Sequence, residues 1–359
     1  MTSAERRVSI ACEHVAERRA AGQMCPSCQR IDRFKAQGRG QAGSVIVTVF
    51  GDGVLPRGGG IWLGSLIGLL APLGLNERLV RTAVFRLAQD DWLEAVASGR
   101  RSDYRLTAAG RHRFMQASQQ IYAPAPPPWD QRWRLITVAG VLEPDTRERL
   151  RRALFWHGFG QLGGDWFVHP SADLASVFDS LAAQGLAQAL PSLLPLVAGN
   201  AGLPTSGDDA DLVRRAWNLH DLGTAYQGFV QAYTPLLAQW STQALDPATA
   251  FVTRSLLIHD YRRLLLRDPQ LPGVLLPQQW AGHEARQRCR QLYALVLPPS
   301  EQHLDEHLSL ADGQQPQASA WLAQRFGMLD SPALGSTLED QGYPSYETHT
   351  GSVTSTHRF

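Results

Sequence analysis

Between residues 62 and 107 the spacing of apolar positions changes twice, and each change marks an element. The run WLGSLIGLLAPLG (62–74) is almost wholly apolar and stops at Gly74. In NERLVRTAVFRLAQDDW (76–92), Leu79, Ala83 and Leu87 recur at helical spacing with Val80 and Val84 beside them, which predicts one buried stripe. Asn76 stands where an N-cap belongs, and Glu77 falls in the first turn, where a carboxylate meets the positive end of the helix. Arg78, Arg81, Thr82 and Arg86 then point outward. Past Trp92, LEAVA (93–97) and YRLT (104–107) predict short strands around the turn SGRRSD (98–103), with Gly99, Arg100 and Arg101 at its tip. Two helices, a glycine turn and a basic hairpin in this order predict a winged helix-turn-helix.

On either side the pattern is plainer. Residues 1–42 are polar and arginine-bearing, end in QGRGQAG, and are expected to form a flexible extension. SVIVTVFGD (44–52) is rich in β-branched residues, so propensity favours a strand, while its place ahead of the helix pair favours a first helix. RGGG (57–60) reads as a flexible turn. AGRHRFMQASQQIY (109–122) predicts an amphipathic helix, and PAPPPW (124–129) a linker between domains. Then RWRLITVAG (132–140), PDTRERLRRALFWHGF (144–159), QLGGDWFVHP (161–170), DLASVFDSLAAQGL (173–186) and SLLPLVAG (192–199) follow an order close to βαββαβ, which predicts a ferredoxin-like domain. From Asp208 on the pattern is helical: one helix over 209–240, one over 247–270, one over 283–297. Residues 330–359 lack periodicity and are rich in Ser, Thr and Gly, as in a disordered tail. The expected fold is α+β and multidomain: extension 1–42, winged helix 43–123, ferredoxin-like dimerisation domain 129–200, helical effector domain 208–329, tail 330–359.

Composition adds two constraints. With 44% hydrophobic and 19% charged residues the chain is an ordinary globular protein. Its apolar runs are too broken by Gly and Pro to span a bilayer, no secretory pattern precedes them, and a cytoplasmic location away from membranes is expected. The net charge of +1 hides a split: residues 1–122 hold 17 Lys+Arg against 10 Asp+Glu, the remainder 17 against 23. The basic part contains the proposed DNA-reading unit. All but one of the basic residues are Arg, however, so arginine alone is no sign of bidentate recognition.

The chemistry expected at that unit is groove reading. Arginines on the second helix reach base edges, and Arg100 and Arg101 reach phosphate or the minor groove. The predicted DNA contacts are Asn76, Arg78, Arg81, Thr82, Arg86, Arg100, Arg101 and Tyr104. Elsewhere the candidates are weaker. CPSC (25–28) has the spacing of half a zinc site, but Cys12 and His14 are one residue apart and make a poor second half, so no metal is assigned. Cys289 reads as a small buried apolar residue. No nucleophile elbow and no Ser, His and acid arrangement is found, which argues against a CoA-ester enzyme such as a thioesterase. A DNA-binding activator without a small-molecule effector is the other alternative.

VTVFGDGVLPRGGGIWLGSLIGLL (47–70), LNERLVRTAVFRL (75–87), GRRSDYRLT (99–107), WHGFG (156–160), LIHDYRR (257–263) and LPGVLLPQQWAGHEARQRC (271–289) resemble the PaaX family, repressors of phenylacetate-degradation operons. The likeness runs from about residue 43 to about residue 329. It implies a dimeric repressor of a phenylacetate catabolic operon that binds palindromic operator DNA and is released by an aryl-CoA, phenylacetyl-CoA above all, with no cofactor. Its central region is similar to the small endonuclease of CRISPR systems, which needs a carboxylate at the end of its first strand. Here that place holds Ala139 and Gly140, with Glu143 and Asp145 only in the loop, so nuclease chemistry is not expected. A CoA thioester needs cations and an aromatic slot, and two polar clusters in apolar surroundings offer them: Arg254, His259, Tyr261, Arg262 and Arg263, and Trp280, His283 and Arg286.

Overall fold

The computed structural model describes residues 26–36, 41–125, 128–203 and 206–330. Over part of the expected flexible extension the chain is ordered instead: α1 (Pro26–Ala36) buries Phe34 and ties Arg30 to Asp260, with Nε donating over 2.8 Å. Two apolar side chains, Ile31 and Phe34, are too few to show a period in the sequence, yet enough to dock one short helix. The candidate ligands Cys12, His14 and Cys25 and the side chain of Cys28 lie outside the described residues, as does all but the first residue of the predicted tail 330–359.

α2 (Ala42–Val49) is the β-branched run, and it is a helix. Val45, Ile46, Thr48 and Val49 are all buried, so the helix is covered on several sides, and that burial overrides its strand propensity. A π turn, Phe50–Val54, and a short 3-10 turn lead to β1 (Gly60–Trp62), α3 (Leu63–Leu70) and α4 (Glu77–Gln89). Gly74 closes the α3 segment at φ 79°, a left-handed conformation that suits glycine. β2 (Leu93–Ser98) and β3 (Arg101–Leu106) form a hairpin, and α5 (Ala108–Ile121) ends the unit. Its antiparallel sheet has the order β1-β3-β2, with Tyr104 opposite both Ile61 and Ala95.

The middle of the chain runs β4 (Trp133–Val138), α6 (Pro144–Trp156), β5 (Gly160–Gly163), β6 (Trp166–His169), α7 (Leu174–Leu181), β7 (Leu193–Ala198). The stretch read as one strand around residues 161–170 is thus a hairpin, turned by Gly163 and Gly164 at positive φ. The sheet is antiparallel with order β5-β6-β4-β7. One core buries Ile136 and Phe167 with Leu150, Leu154 and Leu181 of α6 and α7, and a second packs Trp133 and Val168 with Val213, Leu271 and Leu275. β7 is an edge strand, and it leaves Leu194, Leu196 and Val197 exposed.

The remaining helices are α8 (Asp209–Ala216), α9 (Leu219–Trp240), α10 (Pro247–Leu265) and α11 (Ala281–His307). Where the pattern predicts one helix over 209–240, Trp217 breaks it by turning extended, and its indole N–H donates to the Gly158 carbonyl over 3.0 Å. α11 is longer than predicted and continues through Pro298 and Pro299, because Ser300, His303 and Leu304 beyond them are buried. That last turn reaches the N-terminal unit. The core of that unit therefore contains Phe251, Val252 and Leu256 of α10 together with Leu304 and Leu308. The chain then crosses back over the unit's surface: Trp62 donates to the Ser309 carbonyl over 2.9 Å, Ser319 to Pro56 over 2.8 Å, and Phe326 to Tyr122 over 2.9 Å. The whole is an α+β structure with helical N- and C-terminal regions and antiparallel sheets between them.

Candidate nucleic-acid interface and the seam behind it

α4 is built as a presented helix. Val80, Ala83 and Val84 are buried against the unit, with Leu87 partly so. Asn76 caps its start by accepting from Leu79 N–H over 2.9 Å, which satisfies one of the orphan amides there. Asn76 thus serves the helix itself as well as lying at its exposed end. The outward face carries Arg78, Arg81, Thr82 and Arg86, all exposed. Arg81 Nε meets Glu77 over 2.8 Å and the Thr82 hydroxyl donates to the Arg78 carbonyl over 2.8 Å. Both partners of the Arg81 pair are more than half exposed, and such a pair holds its geometry weakly. Between these cations sits Phe85, 60% exposed, which the sequence reading passed over. A large aromatic ring left in water on a helix otherwise packed on its inner side is the signal that marks it.

The hairpin tip splits the other candidates. Arg100 is exposed beside Gly99, which takes φ 59°. Arg101 is exposed as well but held against the fold: its guanidinium lies 4.6 Å from the centre of the Trp62 ring, and Nη1 donates to the Ala311 carbonyl over 3.3 Å. Tyr104 is half-buried against the core rather than displayed, because its register faces the inner side of the sheet. Of the eight predicted contacts all but Tyr104 are exposed, and Arg78, Arg81, Thr82, Arg86 and Arg100 are the exposed ones that neither cap a helix nor contact a distant segment.

Behind the unit runs a buried polar seam that sequence reasoning missed. Asp52, in the π turn, is 4% exposed and accepts from Arg254 Nε (2.6 Å), Arg325 Nη1 (2.7 Å), Tyr122 Oη (2.5 Å) and Tyr293 Oη (2.9 Å). Burial pushes its carboxyl upward, but Arg254, Arg325 and the Tyr122 hydroxyl together hold it below the ordinary carboxylate range. Arg254 also donates to Ser300 and pairs with Glu301. Arg57, from the predicted flexible turn, is 3% exposed and joins Glu301 (2.5 Å) and Asp305 (2.6 Å) of α11. The bonds of Asp52 to Arg254 and Tyr293 and those of Arg57 to Glu301 and Asp305 tie the N-terminal unit to the C-terminal helices.

The effector candidates separate accordingly. Arg254 and His259 are 1% and 0% exposed: Arg254 belongs to the seam, and His259 meets Gln41 Oε1 at 2.9 Å and Thr48 Oγ1 at 3.5 Å. Arg262 donates to the Ser44 carbonyl and hydroxyl, and Arg263 is exposed. The other four do converge. Tyr261, Trp280, His283 and Arg286 line one cleft together with Tyr226 and Asp268. Burial raises the Asp268 carboxyl, although the Tyr226 hydroxyl donates to it over 2.5 Å. No helix among the described residues is long and apolar enough to cross a membrane.

Three segments match descriptions from one family: residues 41–110 the PaaX-like protein, 126–193 the PaaX protein central Cas2-like domain, and 217–306 the PaaX-like protein C-terminal domain. The chain belongs to the PaaX family. Among its relatives is the transcriptional repressor PaaX of Escherichia coli (strain K12), 38% identical over 292 residues that cover 80% of this chain and 90% of that protein. Among solved structures, an uncharacterized protein from Mycobacterium tuberculosis is similar, with 26% identity, 66% of this chain and 88% of that chain covered, and a TM-score of 0.42.

Proposed function

We propose that the protein is a DNA-binding transcriptional repressor, acting as a homodimer and released from its operator by an aryl-CoA such as phenylacetyl-CoA. The observation that carries this reading is the 38% identity, over most of both chains, to the E. coli repressor. The exposed α4 face supports it: residues 43–123 are a winged helix-turn-helix on this reading, with Arg78, Arg81, Thr82 and Arg86 toward base edges and Arg100 toward phosphate. Residues 129–200 are a ferredoxin-like dimerisation domain, supported by the βαββαβ order and by the apolar edge strand β7, which offers unpaired backbone to a second copy. Residues 208–329 sense the effector. There the aromatic walls Tyr261 and Trp280 suit an aryl group, while Arg286 and His283 suit phosphate.

Two copies reading one palindrome require a fixed spacing, so a ligand that favours another domain arrangement by about 1 to 3 kcal/mol shifts operator affinity roughly 5- to 150-fold. The test is retardation of the protein's own upstream DNA at low ionic strength, with and without phenylacetyl-CoA, alongside the mass in solution. Retardation by a dimer, relieved by the CoA ester, is expected. A monomer that retards nothing overturns the reading.

A further inference from the structure

A second cavity opens where α2, α5 and α10 meet, away from the Trp280 cleft. Its walls include the rings of Trp92, Phe114 and Tyr122, and Trp92 and Phe114 hold each other edge to face at 5.3 Å. Arg262 reaches it from α10. Two hydrogen bonds to Ser44 occupy its Nη2, while its buried Nε has no partner among the described residues. No ion pair holds this guanidinium among the described residues, and burial, with the nearby Arg263, lowers it from its ordinary value. Asp52 also lines the cavity, but both of its oxygens are taken by Arg254, Arg325 and two tyrosines.

A buried cation without a counter-ion is costly, and aromatic walls give water few of the polar partners it needs. A flat apolar body bearing one anionic group supplies both missing contacts. We propose that this cavity binds a small aromatic carboxylate, with the carboxylate on Arg262 and the ring against Trp92, Phe114 and Tyr122. α2 and α5 belong to the N-terminal unit and α10 to the C-terminal helices, so an occupant braces the junction between them. Any effect on DNA rests on the repressor reading above; occupancy itself does not.

The test is calorimetric titration of benzoate and phenylacetate into the full chain, with cyclohexanecarboxylate as the non-aromatic acid and phenylacetyl-CoA as the ester. Expected are saturable binding of the aromatic acids, weaker binding of cyclohexanecarboxylate, and a loss on the order of tenfold in Arg262→Gln. Ala117→Leu, which fills the cavity without touching Arg262, loses binding too and decides the matter if Arg262→Gln fails to fold. No saturable binding by the parent, or parental binding by both variants, overturns the proposal. So does binding confined to phenylacetyl-CoA and abolished by Arg286→Ala, which puts the ligand in the other cleft. Carboxylate binding without any DNA retardation refutes the repressor reading alone.

Discussion

The α4 face and the seam behind it are both built on arginine, and they use it in opposite ways. On α4 the guanidinium groups stand in water: Arg78 and Arg86 have no charged partner among the described residues, and Arg81 has only an exposed neighbour on its own helix. In the seam Arg57, Arg254 and Arg325 are 1–3% exposed, and each is bonded to groups more than 45 residues away or across an element boundary. Screening makes the first set cheap to move and available to an outside anion. Desolvation makes the second set costly to disturb and useful only as a fastening. Arginine count therefore says little about DNA; solvent exposure and the absence of an internal partner say more.

That contrast breaks most sharply at the seam. Arg254→Ala removes one of the two arginines that neutralise the buried Asp52 carboxylate and is expected to cost about 3 to 5 kcal/mol in urea unfolding. Combining it with Asp52→Asn should recover part of the loss, and no recovery would mean that packing, not charge, holds the junction. Acid should destabilise the fold next. Burial pulls the imidazoles of His169, His259 and His303 down to about 4 from 6.5. Because each folded value lies below the unfolded one, their contribution is complete above pH 6.5 and is lost as pH falls toward 4, by roughly 2 to 3 kcal/mol per histidine. His259→Gln should flatten that decline; an unchanged slope removes His259 from the account.

On the exposed face the effects are smaller and fall on binding. Arg81→Ala, as a base contact, should weaken operator binding by about 1 to 3 kcal/mol and relax sequence preference, with the melting temperature unmoved. Arg100→Ala, as a phosphate contact, should weaken binding to every sequence and reduce the slope of log K against log salt by about one unit. A melting temperature lowered by Arg81→Ala would erase the distinction between the two sets.

What could be read from the chain follows the same division. α4 was legible because its cap, its stripe and its charged face all lie within one run of 17 residues, from Asn76 to Trp92. The hairpin was legible from Gly99 and the change of period, but the contacts of Arg101 with Trp62 and Ala311 and the pairing of Tyr104 with Ile61 were not, because those partners are distant or on another strand. The seam left only half a trace. Arg254 and His259 interrupt the apolar run of α10, which marks them as buried polar groups, but nothing in one sequence names Asp52 or Gln41 as the partner some 200 residues earlier. Residues 308–319, which lie across the N-terminal unit, have no period at all, since an irregular crossing segment is held by scattered contacts rather than by a repeating face.

The order of synthesis gives that crossing segment a further importance. A nascent chain that has delivered its first 125 residues holds the inner side of α2 and α3 without Phe251, Leu256, Leu304 or Leu308 to cover it. The earliest-made unit is therefore among the last to close, with apolar surface waiting on the ribosome for the distal helices. That raises contact order and lengthens the interval in which the unfinished product can aggregate or recruit a chaperone.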